Sequence, residues 1–166
     1  MNIFAVDINP IIAAQSLIDR HVVKMPSESC IMLANIYPIE HLRQAPRTQK
    51  LRLRGHGYPH HGCTKWAKYS YENYQWLLDH SIALCEEYTY RTGKNHFCLD
   101  FIMWCKRKIP IIKSLGLTPH YLAMPDEYKS DDIVASYRQY YINAKQVDKS
   151  GKPMYVWTKR QKPSWA

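Results

Sequence analysis

Apolar side chains recur at steps of three and four residues along much of this chain. The clearest stretch ends at Gly93 and consists of Tyr74, Leu77, Leu78, Ser81, Leu84, Cys85 and Tyr88. This spacing lines one face of an α-helix, and glycine commonly follows a helix C-terminus. Most of the 10 prolines fall between such stretches, where they mark joints between helices. We therefore predict an all-α fold, with residues 1–166 forming one compact helical bundle and a single domain.

The N-terminal region predicts an extended arm followed by a long helix. Residues 1–8 alternate like a short strand or an extended arm, and Asn9 stops this pattern because a residue before proline avoids the helical region. From Ile11 to about Ile36 a core-facing helix is predicted, and Pro26 is expected to kink or restart it. Its apolar stripe consists of Ala14, Ile18, Val22, Met25, Ser29, Met32 and Ile36.

Two more helices are predicted in the second half of the chain. One runs from about Phe97 to Lys108, and Pro110 ends it. The other is expected to have Ser130 as its N-cap. Residues 115–125 are predicted to form a loop, and the irregular tail, residues 149–166, is expected to wrap the body of the protein. In the helix from Phe97 to Lys108, the side chains predicted to face inward are Cys98, Phe101, Ile102 and Cys105.

The charge is strongly positive and unevenly distributed. Lys and Arg number 23 against 14 Asp and Glu, a formal net charge of +9, and residues 41–71, which contain no acidic residue, are predicted to form a basic loop. The chain also has 13 Tyr and 5 Trp but only 3 Phe. Cations combined with stacking surfaces are typical of nucleic-acid binding, whereas a solvated basic loop is the alternative. The predicted DNA-binding residues are Arg47, Lys50, Arg52, Arg54, His56, His60, His61, Lys65, Lys159 and Arg160.

Several classes of protein are excluded or disfavoured by the sequence. The chain has no apolar run of the roughly 20 residues that span a bilayer, and its N-terminus lacks the pattern of a signal peptide. The five cysteines are odd in number and form no C-x-x-C pair, which predicts reduced thiols in a cytoplasmic protein. Motifs of ATPases, dinucleotide-binding proteins, α/β-hydrolases, zincins and zinc deaminases are absent. His56, His60 and Cys63 form a weak zinc pattern, and we predict neither a metal nor a cofactor.

Three residues with the spacing of one helical face form a candidate catalytic group. His21, Lys24 and Glu28 are separated by three and four positions, which places a base, a cation and a carboxylate side by side. Such a group can transfer protons when burial and neighbouring charges adjust the pKa of its members. The alternative is a solvated helix face that carries one ion pair.

Two segments resemble the pyrimidine-dimer DNA glycosylase/AP lyase family, the small helical repair enzymes of phages and bacteria. Residues 17–21, LIDRH, followed by Glu28, resemble the family's first catalytic helix. Residues 61–66, HGCTKW, and the helix that continues to Gly93 are similar to its second characteristic segment. Together these segments cover about half of the chain.

The resemblance implies a DNA-repair enzyme that acts on a distorted or flipped nucleotide in duplex DNA, as a monomer in a bacterial or phage-infected cell. An N-terminal α-amine would attack C1′ and form a Schiff base, with Glu28 as the essential carboxylate and His21 orienting groups or contacting phosphate. The amine belongs to Met1 or, after its removal, to Asn2, and Lys24 is the alternative nucleophile. Two other functions stay open: a non-catalytic DNA-binding phage protein, and an enzyme that uses His21, Lys24, Glu28 and His61 on free nucleotides.

Overall fold

Helices account for the regular structure of the described residues. The computed structural model describes residues 1–46, 57–148 and 150–166. Within these ranges there is no β-strand, only an isolated bridge between Val147 and Pro153. The prediction of an all-α fold is therefore confirmed. The helices are α1 (Pro10–Gln15), α2 (Asp19–Ala34), α3 (Ile39–Leu42), α4 (Gly62–Tyr69), α5 (Tyr71–Thr92), α6 (Leu99–Arg107) and α7 (Ile133–Ala144), with a short 3-10 turn at Asp126–Tyr128.

Helix α5 is the central element, and it contacts α1, α2, α4 and α6. Its first turn is capped by Ser70, whose side chain accepts a hydrogen bond from the Asn73 N–H at 3.1 Å. Gly93 ends the helix in the left-handed conformation, with φ of 72°, as predicted. The predicted face is buried at Tyr74, Leu77, Leu78, Ser81, Leu84 and Cys85. This face forms the middle of an apolar core that extends from Ile3 to Tyr141.

The predicted helix from Ile11 to Ile36 is interrupted earlier than expected. Its break lies at residues 16–18, and α2 continues through Pro26, so the predicted restart at Pro26 is wrong. Side chains from distant parts of the chain satisfy the backbone groups that the break exposes. Arg91 donates to the carbonyls of Gln15 and Leu17, and the Trp157 indole donates to the carbonyl of Ser16. These tertiary bonds compensate for the lost helical ones, and no local sequence signal predicts them.

Residues 1–9 form an extended arm that crosses the core. Ile3, Ala5 and Val6 are almost fully buried, and Phe4 adopts φ of 54°. Asn9 ends the arm and caps α1, because its side chain accepts from the N–H groups of residues 11 and 12. The predicted arm is thus confirmed, and its first residues are held inside the protein.

A helix lies in the segment that we predicted as a basic loop. Helix α4 buries Cys63, Thr64, Trp66 and Ala67 on one side, while Lys65 is exposed on the other. This one-sided pattern spans only eight residues and lies beside glycines and a proline, so the sequence did not indicate a helix there. The prediction is therefore corrected for residues 62–69.

The C-terminal part packs against the helices largely without regular structure. Asp132, and not the predicted Ser130, caps α7 by accepting from the Ala135 N–H at 2.9 Å. The tail wraps the body as predicted, and the Trp157 indole anchors it at the break before α2.

All five cysteines are buried and free. Among the described helices, none has both the length and the apolar character that crossing a membrane requires.

Candidate active site

The start of the arm meets the carboxylate of Glu28. The backbone nitrogen of Asn2 donates to Oε2 of Glu28 at 2.8 Å. The other oxygen, Oε1, lies 3.0 Å from Nζ of Lys24, one helical turn earlier on α2. The Glu28 side chain retains 14% of its exposure, so the carboxylate lies at the edge of the core and can be reached from outside. The structure therefore brings together four of the predicted catalytic residues: Met1, Asn2, Lys24 and Glu28.

Asn2 is fixed by its own side chain. Its Oδ1 accepts from the N–H groups of Ile3 and Phe4 at 2.8 and 2.9 Å. Its Nδ2 donates to the carbonyl of Ala123 at 2.8 Å. These bonds set the direction in which the Asn2 backbone nitrogen points, and the third one reaches a residue 121 positions away.

The N-terminus of α4 forms the second side of the site. His61 is the N-cap, and its Nδ1 accepts from the Cys63 N–H at 3.2 Å. Burial lowers the pKa of His61, the nearby N-terminal amine lowers it further, and the Glu28 carboxylate opposes both effects. The amine and Glu28 also act on the pKa of Cys63, which burial raises to about 12. His61 and Cys63 therefore share one electrostatic environment with the amine and Glu28.

An aromatic cavity of about 490 Å³ adjoins this side of the site. Tyr121 covers Gly62 so closely that a Cβ at Gly62 would overlap its ring. The same ring stands edge-on to His61, with centroids 6.2 Å apart. Tyr69 and Tyr121 are 59% and 47% exposed, which leaves flat faces available for stacking. Six of the residues that line the cavity are His60, Gly62, Lys65, Trp66, Tyr69 and Tyr121.

His21 lies in the core and not in this site. It is 7% exposed, stacks on Phe4 at 4.6 Å and bonds through Nδ1 to the hydroxyl of Tyr141 at 2.6 Å. Burial lowers its pKa to about 3, helped by Lys145, Lys24 and Arg20, so the ring is neutral. A buried neutral imidazole contributes packing, and it carries no positive charge that could attract a phosphate.

Two of the predicted DNA-binding residues bond to other parts of the protein. Arg160 forms a two-pronged ion pair with Glu87, through Nε at 2.9 Å and Nη2 at 2.8 Å, and this pair raises the pKa of Arg160. The exposed Lys159 donates to the carbonyl of Tyr90 at 2.9 Å. The charge of Arg160 is therefore matched by a buried carboxylate, and its contact with DNA stays a prediction.

The remaining predicted DNA-binding residues fall into two groups. His60 and Lys65 are exposed at the aromatic cavity, beside the half-buried His61. The others, Arg47, Lys50, Arg52, Arg54 and His56, lie outside the described residues. In the part of the chain that the structure describes, no three His, Cys, Asp or Glu residues are placed to hold a metal ion. The zinc pattern involving His56 is not tested, since His56 falls outside those residues.

Two contributors to the site were missed by sequence reasoning. Tyr121 and the carbonyl of Ala123 come from residues 115–125, which we correctly predicted to be irregular but did not connect with the arm. An irregular segment has no periodicity from which its contacts can be predicted. A tyrosine two residues after Pro119 in a basic chain is a weak signal at best.

The sequence matches a known protein family. The sequence model of the pyrimidine dimer DNA glycosylase family matches residues 1–100, which include the arm, α2 and α4. The chain therefore belongs to the pyrimidine dimer DNA glycosylase family, whose class acts on DNA in DNA repair. No curated protein and no solved structure matches the sequence.

Proposed function

We propose that this protein cleaves the glycosidic bond of a damaged pyrimidine in DNA through a Schiff base on its N-terminal amine and then cuts the strand by β-elimination. We call the first step base release, which frees the pyrimidine from its sugar while a dimer still joins it to the neighbouring base. The bond from the Asn2 nitrogen to Glu28 is the observation that carries the proposal. If Met1 is removed, this nitrogen becomes the α-amine and already lies 2.8 Å from a carboxylate oxygen. If Met1 is retained, the amine lies one residue earlier in the chain, where it acts on the charges of His61 and Cys63.

An α-amine suits the first step of the reaction. Such amines titrate at about pH 7.7–8.0, so a larger fraction is unprotonated at neutral pH than for a lysine. The amine nitrogen forms a bond to C1′, the glycosidic bond breaks, and the electron pair leaves with the base. With Met1 removed, Glu28 accepts the proton that the amine loses, since its Oε2 faces that nitrogen. The C1′–O4′ bond then breaks as the C1′=N bond of the Schiff base forms, and O4′ takes a proton from water. Removal of a C2′ proton from this imine expels the 3′ phosphate.

Borohydride trapping with peptide mass analysis tests the nucleophile. Duplexes that contain a pyrimidine dimer or an abasic site should both give a covalent complex, and the modified peptide should be the N-terminal one. The mass of this peptide shows whether Met1 is present. Lys24→Ala should keep the trapped complex, because Lys24 serves Glu28 and not the substrate. A complex that maps to Lys24, or the absence of any complex, would contradict the proposal.

Replacing the carboxylate tests the role of Glu28. Glu28→Gln keeps the size and an acceptor for the Asn2 N–H but cannot take a proton. We expect base release to fall by about 10²- to 10⁴-fold, the usual contribution of a general base. Glu86→Gln, the same change at an exposed position of α5, is the control and should behave as wild type. A non-catalytic DNA-binding protein would show no effect of Glu28→Gln on anything but binding.

We further propose that DNA approaches along the exposed side of α4. Lys65 lies at the cavity mouth with its charge exposed, whereas Arg160 is held by Glu87. Lys65→Gln should weaken binding to all sequences and reduce the slope of log affinity against log salt by about one. An unchanged slope would place the DNA elsewhere. The monomeric state, the flipped nucleotide and the cytoplasmic location stay predictions.

A further inference from the structure

The two ring nitrogens of His61 have different hydrogen-bonding roles. Nδ1 is occupied, since it accepts the Cys63 N–H at the start of α4. A neutral imidazole carries its hydrogen on the other nitrogen, so Nε2 is the donor. No hydrogen bond within the described residues uses Nε2. The half-buried ring therefore keeps one donor that no described residue engages.

The surroundings keep this ring neutral. Burial and the nearby N-terminal amine both lower the pKa of His61, and the Glu28 carboxylate only partly opposes them. A helix N-terminus also disfavours a cation at its cap. A neutral imidazole at a helix N-terminus can still polarise a reacting group through its N–H. His61 therefore provides a neutral hydrogen-bond donor at the N-terminus of α4.

His61 also borders both parts of the site. The amine and Glu28 are close enough to act on its charge. The aromatic cavity begins at the next residue, Gly62, and the Tyr121 ring that lines it stands edge-on to His61. Two other groups near the amine are poorer donors. Cys63 is fully buried, and Lys24 is bound to Oε1 of Glu28.

We propose that His61 is a further catalytic residue, which donates a hydrogen bond from Nε2 to the departing pyrimidine. This inference rests on the proposed function. As the amine bonds to C1′, the C1′–N1 bond breaks and negative charge develops on N1 and O2 of the base. The His61 N–H stabilises that charge, the amine proton passes to Glu28, and the base anion takes a proton from water. The later β-elimination releases no base and does not need this donor.

Two substitutions separate the donor from the helix cap. In His61→Asn the side chain is short, so its oxygen can replace Nδ1 as the cap, but nothing replaces the Nε2 donor. In His61→Gln the amide N–H extends to about the position of Nε2, while the cap is lost. Helix stability and catalysis should therefore move in opposite directions. His61→Asn should unfold near the wild-type temperature, and His61→Gln below it.

Single-turnover rates on two substrates complete the test. With dimer-containing DNA, His61→Asn should release base about 10²- to 10³-fold more slowly, as for other lost donors at a developing anion. His61→Gln should recover a part of this loss. With preformed abasic DNA, which has no base to release, borohydride trapping by His61→Asn should stay within about threefold of wild type.

Each result has a distinct meaning. Equal losses on dimer and abasic DNA, or wild-type base release by His61→Asn, would overturn the role of His61. Slower base release by His61→Gln than by His61→Asn would also overturn it, because the cap would then be what matters. Failure of the wild-type protein to trap either DNA would instead refute the proposed function itself.

Discussion

The phenolic oxygen of Tyr141 lies 2.6 Å from Nδ1 of His21. The same oxygen accepts the Ile18 N–H at 3.0 Å, so its own proton is free to be donated to His21. One hydroxyl therefore links α7 to the start of α2 and to His21. All of this takes place in the core, where Tyr141 is fully buried.

Removal of this hydroxyl should destabilise the protein. In Tyr141→Phe the Ile18 N–H and the His21 nitrogen both lose their partner in the core. We expect the free energy of unfolding to fall by about 1–3 kcal/mol, the cost of an unsatisfied buried polar group. Urea denaturation measures this change. Tyr90→Phe removes a hydroxyl from a half-exposed ring and should cost less than about 0.5 kcal/mol. Equal effects of the two variants would contradict this account.

Three buried histidines should make stability depend on pH. Burial lowers the pKa of His80 to about 3, helped by His120, and that of His120 to about 4; the pKa of His21 is also about 3. Their ordinary value is about 6.5, so below this pH the unfolded chain binds protons that the folded protein does not. Stability from these groups is complete above pH 6.5 and is lost progressively as the pH falls from 6.5 toward the folded-state pKa values of about 3 to 4.

The contribution of one histidine to this pH dependence can be measured by substitution. Each of these histidines contributes up to about 1.4 kcal/mol per pH unit in this window. Both nitrogens of His80 lack a hydrogen-bond partner among the described residues. His80→Gln, which does not titrate, should therefore reduce the slope of unfolding free energy against pH by about one group. The measurement is a series of urea curves from pH 7.5 to 4.5, and an unchanged slope would show that His80 is not responsible.

Glu87 should be a major contributor to stability. Its carboxylate is 2% exposed and binds Arg91 at 2.7 Å and Arg160 at 2.8 Å. In Glu87→Gln the buried Arg91 loses one of its two carboxylate partners, which should lower the free energy of unfolding by about 3 kcal/mol or more. Asp126→Asn breaks an ion pair whose carboxylate is 94% exposed, and its unfolding midpoint should equal that of wild type. A small effect at Glu87 would show that the tail is held by its aromatic contacts instead.

Gly62 should control the position of Tyr121. A methyl group at Gly62 would overlap the Tyr121 ring, which can swing away because it is half-exposed. Gly62→Ala should therefore leave the melting temperature nearly unchanged but lower kcat/KM on damaged DNA by about 10-fold or more, through misplacement of substrate. In Gly62→Ala combined with Tyr121→Ala, the first change should have no additional effect. Additive losses would mean that Gly62 acts without Tyr121.

Local periodicity was sufficient to predict α5 and the buried faces of α5 and α6. These elements bury one face against one core, and glycine or proline marks their ends. The break at residues 16–18 could not be predicted in this way, because Arg91 and Trp157 supply its hydrogen bonds from far along the chain. Tertiary contacts of this kind override helix propensity.

The candidate site was predicted unevenly for a similar reason. The arm was predicted from its alternating pattern, and Glu28 from its helical spacing and from resemblance to a family; the structure places them in contact. His21 has the correct helical spacing, but spacing does not tell which part of a helix the core covers. Arg160 looked like a free cation, since its partner Glu87 is 73 residues away. A charge in a sequence thus indicates an interaction without identifying the partner.

The bond from Asn2 to Ala123 connects the beginning of the chain to a point 121 residues later. A ribosome that adds roughly 5 to 20 residues per second needs roughly 6 to 24 s to cover that distance. During this interval the first residues have left the ribosome, while the segment that will enclose them does not yet exist. An enzyme that trims Met1 has access then and little afterwards, because the finished protein binds the Asn2 nitrogen to Glu28. Any removal of Met1 would therefore take place most readily before the protein is complete.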